Sequence, residues 1–486
     1  CTVEYGSGIL LKLGSPFINQ STIRYHSGSG IKVDTYNFGN TTERLKITNN
    51  TITNNTAGSD GGGIKLYWWG SNAAVISGNT ISNNVGSNGG GIEADVGSAI
   101  ISGNTIENNK AGRYDGPDNQ FRLEGKGGGI KARDAGTQIL NNIIKGNQAQ
   151  YGGGIAGGTI TGNTIIGNTA TSGGGGFYNE NGGGTFSDNY VLDNGGNFGI
   201  YIERGTIGVT GNVIAGNYKA LRYEQSDNST VSVSSNIIFN NTGSPAVYLT
   251  GNAVQSYTTD PNDGSQVQVL LTGMEVKNNT IVGNSGGLSL KGSIVLNNNN
   301  IYDNGGTYEL VSRNALGTDD LNIENNYWGT SDASVIEAKM YDWNEDGSLG
   351  FVYPTSNEIT INTSNPIAPP SGLSAQTGPT TMQLSWTANG ESDVLGYKVY
   401  YDTDGSGWPY ANSVSTGSTD PNYTLTGLTT SGTYYVAVAA IDSDGNESWI
   451  SNEFTDTTQA STPTSVSGAL SSNTVWGLAN SPVNVT

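Results

Sequence analysis

The stretch Asn49–Lys65, NNTITNNTAGSDGGGIK, contains the unit from which most of this sequence is built. It returns as GNTISNNVGSNGGGIE at 78–93 and, in part, as GNTIENN at 103–109. Each copy places an Asn two residues before an apolar residue and a second Asn five residues after the first. The pairs are Asn50/Asn55, Asn79/Asn84, Asn104/Asn109, Asn142/Asn147, Asn163/Asn168, Asn189/Asn194, Asn212/Asn217, Asn236/Asn241, Asn279/Asn284 and Asn299/Asn304.

Successive pairs begin 20 to 43 residues apart. The unit therefore has a minimum length and accepts insertions, as in a repeat array with variable loops. Apolar and polar residues alternate over short runs such as Ile64-Lys65-Leu66, which is typical of strands. Glycine, 73 of 486 residues, collects just before the second apolar run of a unit, as at Gly61–Gly63. Glycine there indicates a corner that needs a positive φ or a close approach of two backbones.

Three short strands with tight corners, repeated every 20 to 25 residues or so, form one rung of a parallel β-solenoid. Asparagines at one corner of every rung are then expected to stack as a hydrogen-bonded ladder and to tolerate a left-handed backbone. A disordered low-complexity chain is the alternative, but the interleaved Ile, Val and Leu would supply a core. The predicted ladder consists of Asn50, Asn79, Asn104, Asn142, Asn163, Asn189, Asn212, Asn236, Asn279 and Asn299.

The composition excludes several classes of protein. With 41 acidic and 21 basic residues the formal net charge is −20, and no basic stripe is present to neutralise nucleic-acid phosphates. No apolar run is long enough to predict a membrane span. Cys1 is the only cysteine and cannot form an internal disulfide. It is either the lipid-bearing residue of a bacterial lipoprotein or, as the rung-like CTVEYGSGILLKL favours, simply the first residue of a fragment or processed chain.

The repeats change character at Asn325–Thr330, NNYWGT, which precedes a predicted short helix near Ser334–Tyr341 and an acidic turn. This segment resembles the end of right-handed parallel β-helix proteins of the pectin-lyase-like superfamily, and with the repeats the resemblance covers residues 1–356. It implies an all-β fold, a right-handed parallel β-helix of about twelve rungs. The superfamily contains polysaccharide lyases, glycoside hydrolases, adhesins and surface proteins without catalysis, so the resemblance selects no activity.

A proline-rich break at Asn365–Gly372, NPIAPPSG, separates a second region. Residues 366–458 resemble a fibronectin type III module, with Trp386 in LSW, GYKVYY at 396–401 and Tyr434 at the position of the tyrosine corner. The resemblance implies a β-sandwich that acts as a spacer or docking unit. Residues 459–486 are expected to be a linker and a C-terminal strand segment, which resembles the opening strands of another β-helix.

The two ends of the sequence suggest partners. No amphipathic capping helix precedes the first rung, and an open rung presents unpaired backbone groups. We expect the C-terminal strands of one chain to complete the N-terminal rung of the next, giving head-to-tail self-assembly. The alternative is that the chain is one part of a longer protein and that further domains cover this edge.

One outward face of the solenoid has a composition that suits sugars. Aromatic rings supply platforms for sugar rings, and carboxylates accept hydrogen bonds from hydroxyls. A polar sheet face stabilised by cross-strand pairs is the interpretation that we favour. For catalysis, Glu180 and Glu203 are the predicted glycosidase pair, and Lys131 and Arg133 would serve a lyase. The predicted polysaccharide-binding residues are Lys65, Trp68, Trp69, Glu93, Asp95, Tyr178, Tyr201 and Glu224.

Three acidic turns place oxygen atoms as Ca²⁺ prefers, although none is a complete EF-hand loop. We therefore predict no cofactor, with Ca²⁺ as the alternative. The single His26 cannot build a zinc site or a Ser/His triad alone. The predicted calcium ligands are Asp342, Asp346, Asp402, Asp404, Asp442 and Asp444.

Together these features predict an extracellular, cell-surface structural and adhesive protein rather than an enzyme. The alternative is a carbohydrate-binding protein, polysaccharide lyase or glycosidase that acts along the outward face of the β-helix.

Overall fold

The computed structural model divides the chain into two units, Cys1–Pro366 and Ile367–Thr486. It describes residues 1–486 except 13–15, 36–43, 69–73, 97, 116–119, 181, 226–229, 253, 260–265, 272, 319–320, 356–359, 406, 461–463, 467–482 and 486.

The first unit is a parallel β-helix, because each repeat contributes one strand to each of three long parallel sheets. Sheet 1 contains the strands aligned with Thr51–Thr53, between the two asparagines of a pair. Its order is Thr2–Glu4, Thr22–Arg24, Thr51–Thr53, Thr80–Ser82, Thr105–Glu107, Ile143–Lys145, Thr164–Ile166, Tyr190–Leu192, Val213–Ala215, Ile237–Phe239, Thr280–Val282 and Asn300–Tyr302.

Sheet 2 contains the strands that follow the glycine corners. Its order is Ile9–Leu11, Ile31–Thr35, Ile64–Trp68, Ile92–Val96, Ile130–Ala132, Ile155–Ala156, Gly174–Asn179, Phe198–Ile202, Leu221–Glu224, Val247–Gly251, Leu288–Gly292, Leu310–Ser312 and Met340–Tyr341.

Sheet 3 contains the strands that precede the first asparagine of each pair. Its order is Phe17–Asn19, Lys46–Thr48, Ala74–Ser77, Ala99–Ser102, Thr137–Leu140, Thr159–Thr161, Gly183–Ser187, Thr206–Thr210, Val231–Ser234, Met274–Lys277, Ile294–Asn297, Leu321–Glu324 and Val352–Thr355.

Smaller elements occupy the corner after sheet 1 and two of the insertions. A short parallel sheet contains Val85–Gly86, Lys110–Ala111, Gln148–Ala149 and Thr169–Ala170. The insertions form antiparallel hairpins that pair Arg113–Asp115 with Gln120–Arg122 and Val254–Thr259 with Gln266–Leu271. The insertions that lengthen individual repeats thus project without breaking the register of the three long sheets.

The core of the first unit is a stack of inward residues, one or two from each strand. On sheet 1, Ile23, Ile52, Ile81, Ile106 and Ile144 lie opposite one another in register and are fully buried. Burial of each such side chain contributes roughly 1.5 to 3 kcal/mol to stability. One apolar cluster runs in this way from Ile23 to Val352.

Two kinds of corner connect the strands. Before sheet 2 the backbones pass so closely that a Cβ on Gly90 would lie 2.5 Å from the Gly128 carbonyl oxygen, which explains the glycine runs. At the asparagine corner the left-handed residue is the one before the ladder asparagine, for example Asn49 at φ 54° and Asn141 at φ 53°. The expectation that the ladder asparagines themselves are left-handed is therefore wrong by one position.

The C-terminal end of the core is closed by Trp328 and by a helix at Ala333–Glu337. Asp332 caps the helix by accepting hydrogen bonds from the amides of the first turn. The helix is shorter than predicted, because Met340–Tyr341 instead joins sheet 2 opposite Leu310 and Val311. Within the part of the chain that the structure describes, no helix has the length and apolar character needed to cross a membrane.

Residues that follow the predicted β-helix boundary at 356 are hydrogen-bonded to the first unit. Asn362 donates its backbone N–H to Asn300 Oδ1 at 2.9 Å and accepts from Asn300 Nδ2 at 3.0 Å. Asn365 Nδ2 donates to the Asn298 carbonyl oxygen at 2.9 Å, and Thr280 Oγ1 donates to that of Pro366 at 2.5 Å. These bonds attach the segment up to Pro366 to the edge of the solenoid.

The second unit is an antiparallel sandwich. One sheet contains Ser371–Thr377, Thr381–Thr387 and Asn422–Thr426, and the other contains Asn412–Ser415, Val394–Asp402, Thr433–Asp442 and Phe454–Thr457. Trp386 is buried in its core, and Tyr434 Oη accepts a hydrogen bond from the Thr429 N–H at 2.9 Å, forming the expected tyrosine corner. Thr464–Val466 pairs in parallel with Val483–Val485. The predicted all-β class, a solenoid followed by a sandwich, is confirmed.

Candidate functional site

The asparagine corner of sheet 1 is fully hydrogen-bonded. Asn142 Nδ2 donates to Asn163 Oδ1 at 3.0 Å and to the Ile101 carbonyl oxygen at 2.9 Å. Asn142 Oδ1 accepts from both the backbone N–H and Nδ2 of Asn104, each at 2.9 Å. Because the amide is buried, these bonds replace the water that it would otherwise need.

This pattern repeats along the solenoid in two columns. The structure places the ten predicted ladder asparagines in the first column, which continues to Asn326 through a 2.9 Å bond from Asn299. The second column has amide-to-amide distances of 2.8 to 3.2 Å and consists of Asn55, Asn84, Asn109, Asn147, Asn168, Asn194, Asn217, Asn241, Asn284 and Asn304.

Titratable residues, not foreseen from the sequence, lie at both ends of the second column. The backbone N–H of His26 donates to Asn55 Oδ1 at 3.2 Å. The imidazole of His26 accepts, at Nδ1, a hydrogen bond from the Gly6 N–H at 3.1 Å. At the other end Glu309 accepts from Asn304 Nδ2 at 2.8 Å and from the Asn304 N–H at 3.3 Å. Burial is the main cause that raises the pKa of Glu309. The sequence did contain a signal for the position of His26. When Ile23 is aligned with Ile52, His26 aligns with Asn55 of the second column.

The predicted outward column on sheet 2 has the register that the repeats indicate. Lys65 lies opposite Glu93, Glu93 opposite Lys131, and Tyr178 opposite Tyr201. The predicted members lie in register as Lys32, Lys65, Glu93, Lys131, Ala156, Tyr178, Tyr201, Arg222, Tyr248 and Ser289, and the column continues to Leu10 at one end and to Val311 and Tyr341 at the other.

The N-terminal half of this column is an ionic cluster. Glu93 lies between two ammonium groups, with Lys65 Nζ and Lys131 Nζ each 2.9 Å from one of its carboxylate oxygens. The Glu93 and Lys65 side chains are only 5% and 8% exposed. Asp95 lies beside them, 3.9 Å from Lys65 and 3.6 Å from Arg133. Every charged group of the cluster therefore has a neighbour of opposite charge, as in cross-strand pairs on a sheet face.

Replacing Glu93 with glutamine should destabilise the first unit by about 3 kcal/mol, because removal of one partner leaves the buried Lys65 charge poorly compensated. Asp95→Asn is the matched control. Its carboxylate is more exposed, so the expected loss is below about 1 kcal/mol. Urea unfolding followed by far-UV circular dichroism measures both losses. Equal losses for the two variants would contradict a special role for the buried pair.

The C-terminal half of the column is aromatic. The Tyr178 ring lies 4.9 Å from that of Tyr151 and 5.6 Å from that of Tyr201. The Arg222 guanidinium follows, 4.8 Å from the Tyr201 ring and 5.3 Å from the Tyr248 ring. We call Tyr151, Tyr178, Tyr201, Arg222 and Tyr248 the tyrosine track.

Carboxylates border the tyrosine track. Tyr178 Oη donates to Glu203 at 2.5 Å, and Arg222 donates to Glu224 at 2.5 and 3.1 Å. Burial, followed by this bond to Glu203, raises the pKa of Tyr178, and burial raises the pKa of Tyr201 to about 12. Both phenols therefore remain neutral donors under physiological conditions.

The predicted catalytic residues all have partners within the fold. Glu180 pairs with Lys126, and Glu203 accepts the Tyr178 hydroxyl. Lys131 Nζ donates to Glu93 Oε1 at 2.9 Å. Arg133 lies 3.6 Å from Asp95. Each predicted acid or base therefore has an ion-pair or hydrogen-bond partner in the fold.

The two tryptophans of the predicted sugar platform are only partly described. Trp68 ends the sheet 2 strand Ile64–Trp68, and Trp69 falls outside the described residues. Their extension of the platform therefore stays a prediction.

The three acidic turns differ in their geometry. Asp342 is buried and accepts from the Asn344 and Val352 amides at 2.9 and 2.7 Å, and Asp346 accepts from Ser348. Asp442 accepts from the amides of Asp444 and Asn446. Asp402 is the last residue of the strand Val394–Asp402, and Asp404 follows it in the turn. Among the described residues no three His, Cys, Asp or Glu side chains are grouped so that they could hold a metal ion.

Comparison with known proteins covers both units. The family model described as right handed beta helix region matches residues 1–152 and 117–263, and the fibronectin type III domain model matches residues 368–455. No curated protein matches the chain. Among solved structures, an Fn3-like protein from Clostridium thermocellum is 35% identical, with a TM-score of 0.17, over 18% of this chain and 90% of that one. The fibronectin type-III domain of human fibronectin type III domain containing protein 3 is 22% identical, with a TM-score of 0.18, over 21% of this chain and 93% of that one.

The solenoid match alone spans residues 1–263, which is more than half of the 486 residues, and it falls on the rungs that carry both asparagine columns. This chain therefore belongs to the right handed beta helix family, with a fibronectin type III domain following the helix.

Proposed function

We propose that this chain is an extracellular structural and adhesive surface protein in which the β-helix is a stiff shaft and the fibronectin domain is a spacer or docking unit. The observation that carries the proposal is the internal pairing of the predicted acids and bases on sheet 2, of which Glu93 between Lys65 and Lys131 is the clearest case. Acidic and basic side chains that pair with one another stabilise the sheet, and they are then engaged in those pairs rather than in acid–base catalysis.

The other features of the first unit suit a shaft. Its apolar core is continuous, and its asparagine amides are bonded from rung to rung, so bending would break hydrogen bonds in both columns at once. The net charge of −20 favours solubility and keeps such rods apart in solution.

An activity assay tests the proposal against the enzymatic alternative. Incubation of the full chain with a panel of polyuronates and neutral plant glycans is expected to release neither unsaturated nor reducing sugars. Glu203→Gln and Lys131→Ala should behave like the parent chain, because both residues are assigned to pairing. Product release that falls by about 100-fold or more in either variant would overturn the structural proposal in favour of a glycosidase or lyase.

Polysaccharide binding without cleavage is the second candidate function, and the tyrosine track favours it. Tyr201 is partly exposed and is flanked by Arg222 and Glu224, so ring, cation and carboxylate are available together. Such surfaces bind sugars through ring stacking and hydroxyl hydrogen bonds.

Affinity electrophoresis in gels that contain neutral or uronate polysaccharides tests this second function. The affinity for the polysaccharide that is calculated from the retardation should be about tenfold weaker in Tyr201→Ala. Tyr218→Ala is the control, because Tyr218 is 52% exposed but lies outside the track. Equal retardation of both variants, or none for the parent chain, would exclude the track as a glycan site.

Self-assembly through the C-terminal strands remains a prediction from the sequence. The segment on which it depends lies largely at 467–482, outside the described residues.

A further inference from the structure

The turns at Asp402 and Asp442 have the same letters, Asp-x-Asp-Gly, but their first carboxylates are bonded differently. Asp442 Oδ1 accepts from the Asp444 and Asn446 amides at 3.0 and 2.8 Å, and its Oδ2 accepts from Asn446 Nδ2 at 2.9 Å. Both oxygens of this carboxylate are therefore satisfied by the turn itself. Such a turn is complete without a metal ion.

Asp402 is not completed in this way. It is 3% exposed, and its Oδ2 has one long bond of 3.3 Å from the Ala411 N–H. Its Oδ1 is buried and has no hydrogen-bond partner. Glu93 Oε2, which also lacks a well-aligned hydrogen bond, differs because Lys65 Nζ lies 2.9 Å away. A buried carboxylate oxygen that has neither an N–H donor nor a cation is costly and needs an explanation.

The neighbours of Asp402 increase its need for a cation. Burial raises the pKa of Asp402 and the Ala411 amide lowers it, while the charge of Asp404, a close contact with the Asp404 carboxyl and the charge of Glu453 raise it further. Glu453 is itself bonded, since its Oε2 accepts from the Gly407 N–H at 2.7 Å and from Tyr410 Oη at 2.6 Å. Within the described residues no lysine or arginine forms an ion pair with any of these three carboxylates.

We propose that Asp402 and Asp404 form a Ca²⁺ site at the end of the strand Val394–Asp402, with the unpartnered Asp402 Oδ1 as its central ligand. Ca²⁺ takes carboxylate oxygens together with backbone carbonyls and water, so two carboxylates are sufficient when neutral oxygens complete the shell. This requirement agrees with the absence, among the described residues, of any group of three acidic, His or Cys side chains. A site with two carboxylates belongs to the weak extracellular range, with a dissociation constant of roughly 10⁻⁴ to 10⁻³ M.

Terbium luminescence followed by calcium competition tests the site in the full chain after removal of metal with EDTA. Trp408 and Tyr410 lie in the loop that follows Asp404 and should sensitise bound Tb³⁺. We expect a saturable signal that millimolar Ca²⁺ displaces, and a calcium-dependent rise in the thermal midpoint of the fibronectin domain. Ca²⁺ affinity should fall about tenfold or more in Asp402→Asn and Asp404→Asn.

Asp442→Asn is the matched control and should retain the calcium affinity of the parent chain within about twofold. It weakens only the hydrogen bonds that the Asp442 carboxylate accepts within its own turn. Since Asp402 is buried, circular dichroism must show that Asp402→Asn is folded. If it is not, the exposed Asp404 decides the question. The site is overturned if Ca²⁺ up to about 10 mM gives neither displacement nor a thermal shift, or if Asp404→Asn binds like the parent chain.

Discussion

The variant Gly128→Ala is expected to lose at least about 4 kcal/mol of stability, or to fail to fold, because a methyl group at this corner has no space. A Cβ on Gly128 would lie 2.3 Å from the Gly153 carbonyl oxygen and 2.5 Å from that of Gln148. Both obstacles are backbone atoms of the next rung. Relief would require two rungs to separate and to lose sheet hydrogen bonds.

Gly103→Ala is the control for this result. Gly103 has a positive φ of 62°, but no other atom lies within 4 Å of the position that an added methyl group would occupy, so the variant carries only the backbone cost of about 1 kcal/mol. Urea unfolding of the two variants separates crowding from backbone conformation. Similar losses of unfolding free energy in the two variants would mean that glycine is needed at the corners only for its backbone conformation. The rungs would then be less tightly stacked than described.

The variant Asn142→Ala is expected to lose about 3 to 5 kcal/mol. Removal of the amide leaves the Ile101 carbonyl oxygen without its 2.9 Å donor and the Asn104 N–H without its 2.9 Å acceptor. Each buried polar group left unpaired costs roughly 1 to 3 kcal/mol, and the link between neighbouring amides is also lost. The damage should extend to the adjoining rungs, which hydrogen exchange of their amides can detect.

Two further variants isolate the hydrogen bonds of Asn142. Asn142→Asp keeps the shape of the side chain but cannot donate to Ile101 or Asn163, so a comparable loss would assign the effect to hydrogen bonding rather than to volume. Gln138→Ala, on the exposed face of the same rung, should change stability by less than about 0.5 kcal/mol. A loss below about 1 kcal/mol in Asn142→Ala would show that the ladder contributes little.

The register of the solenoid was predictable because identical corners must stack. Counting from the glycine run places Lys65, Glu93 and Lys131 in one column, and parallel strand pairing brings them together as counted. The closing helix was less predictable. Met340 has apolar neighbours at helical spacing, but pairing with Leu310 completes sheet 2, and this tertiary contact overrides local preference.

The repeat pattern of the sequence could not predict which side chains pair with one another. Glu180 pairs with Lys126, a residue that precedes a glycine corner and does not belong to the outward column of sheet 2. Asp402 and Asp442 share a motif, yet whether their oxygens are satisfied depends on how far the next amides reach, which is a property of the folded loop. A motif therefore identified the two turns but could not distinguish them.

The placement of Glu309 gives the second asparagine column an electrical direction. Each amide in that column donates one N–H to the next amide toward the C-terminal end and one to a backbone carbonyl of the preceding rung. Because the links between amides all run in one direction, they leave partial positive charge at Asn304, much as aligned peptides do at a helix N-terminus. The Glu309 carboxylate meets that charge, and Lys339 lies 3.8 Å behind it. The solenoid itself continues past this point, with Leu310–Ser312 and Met340–Tyr341 in sheet 2 and Asn326 in the first column, so Glu309 ends the second column alone. The second column is thus polar, and it ends on a carboxylate that complements its positive end.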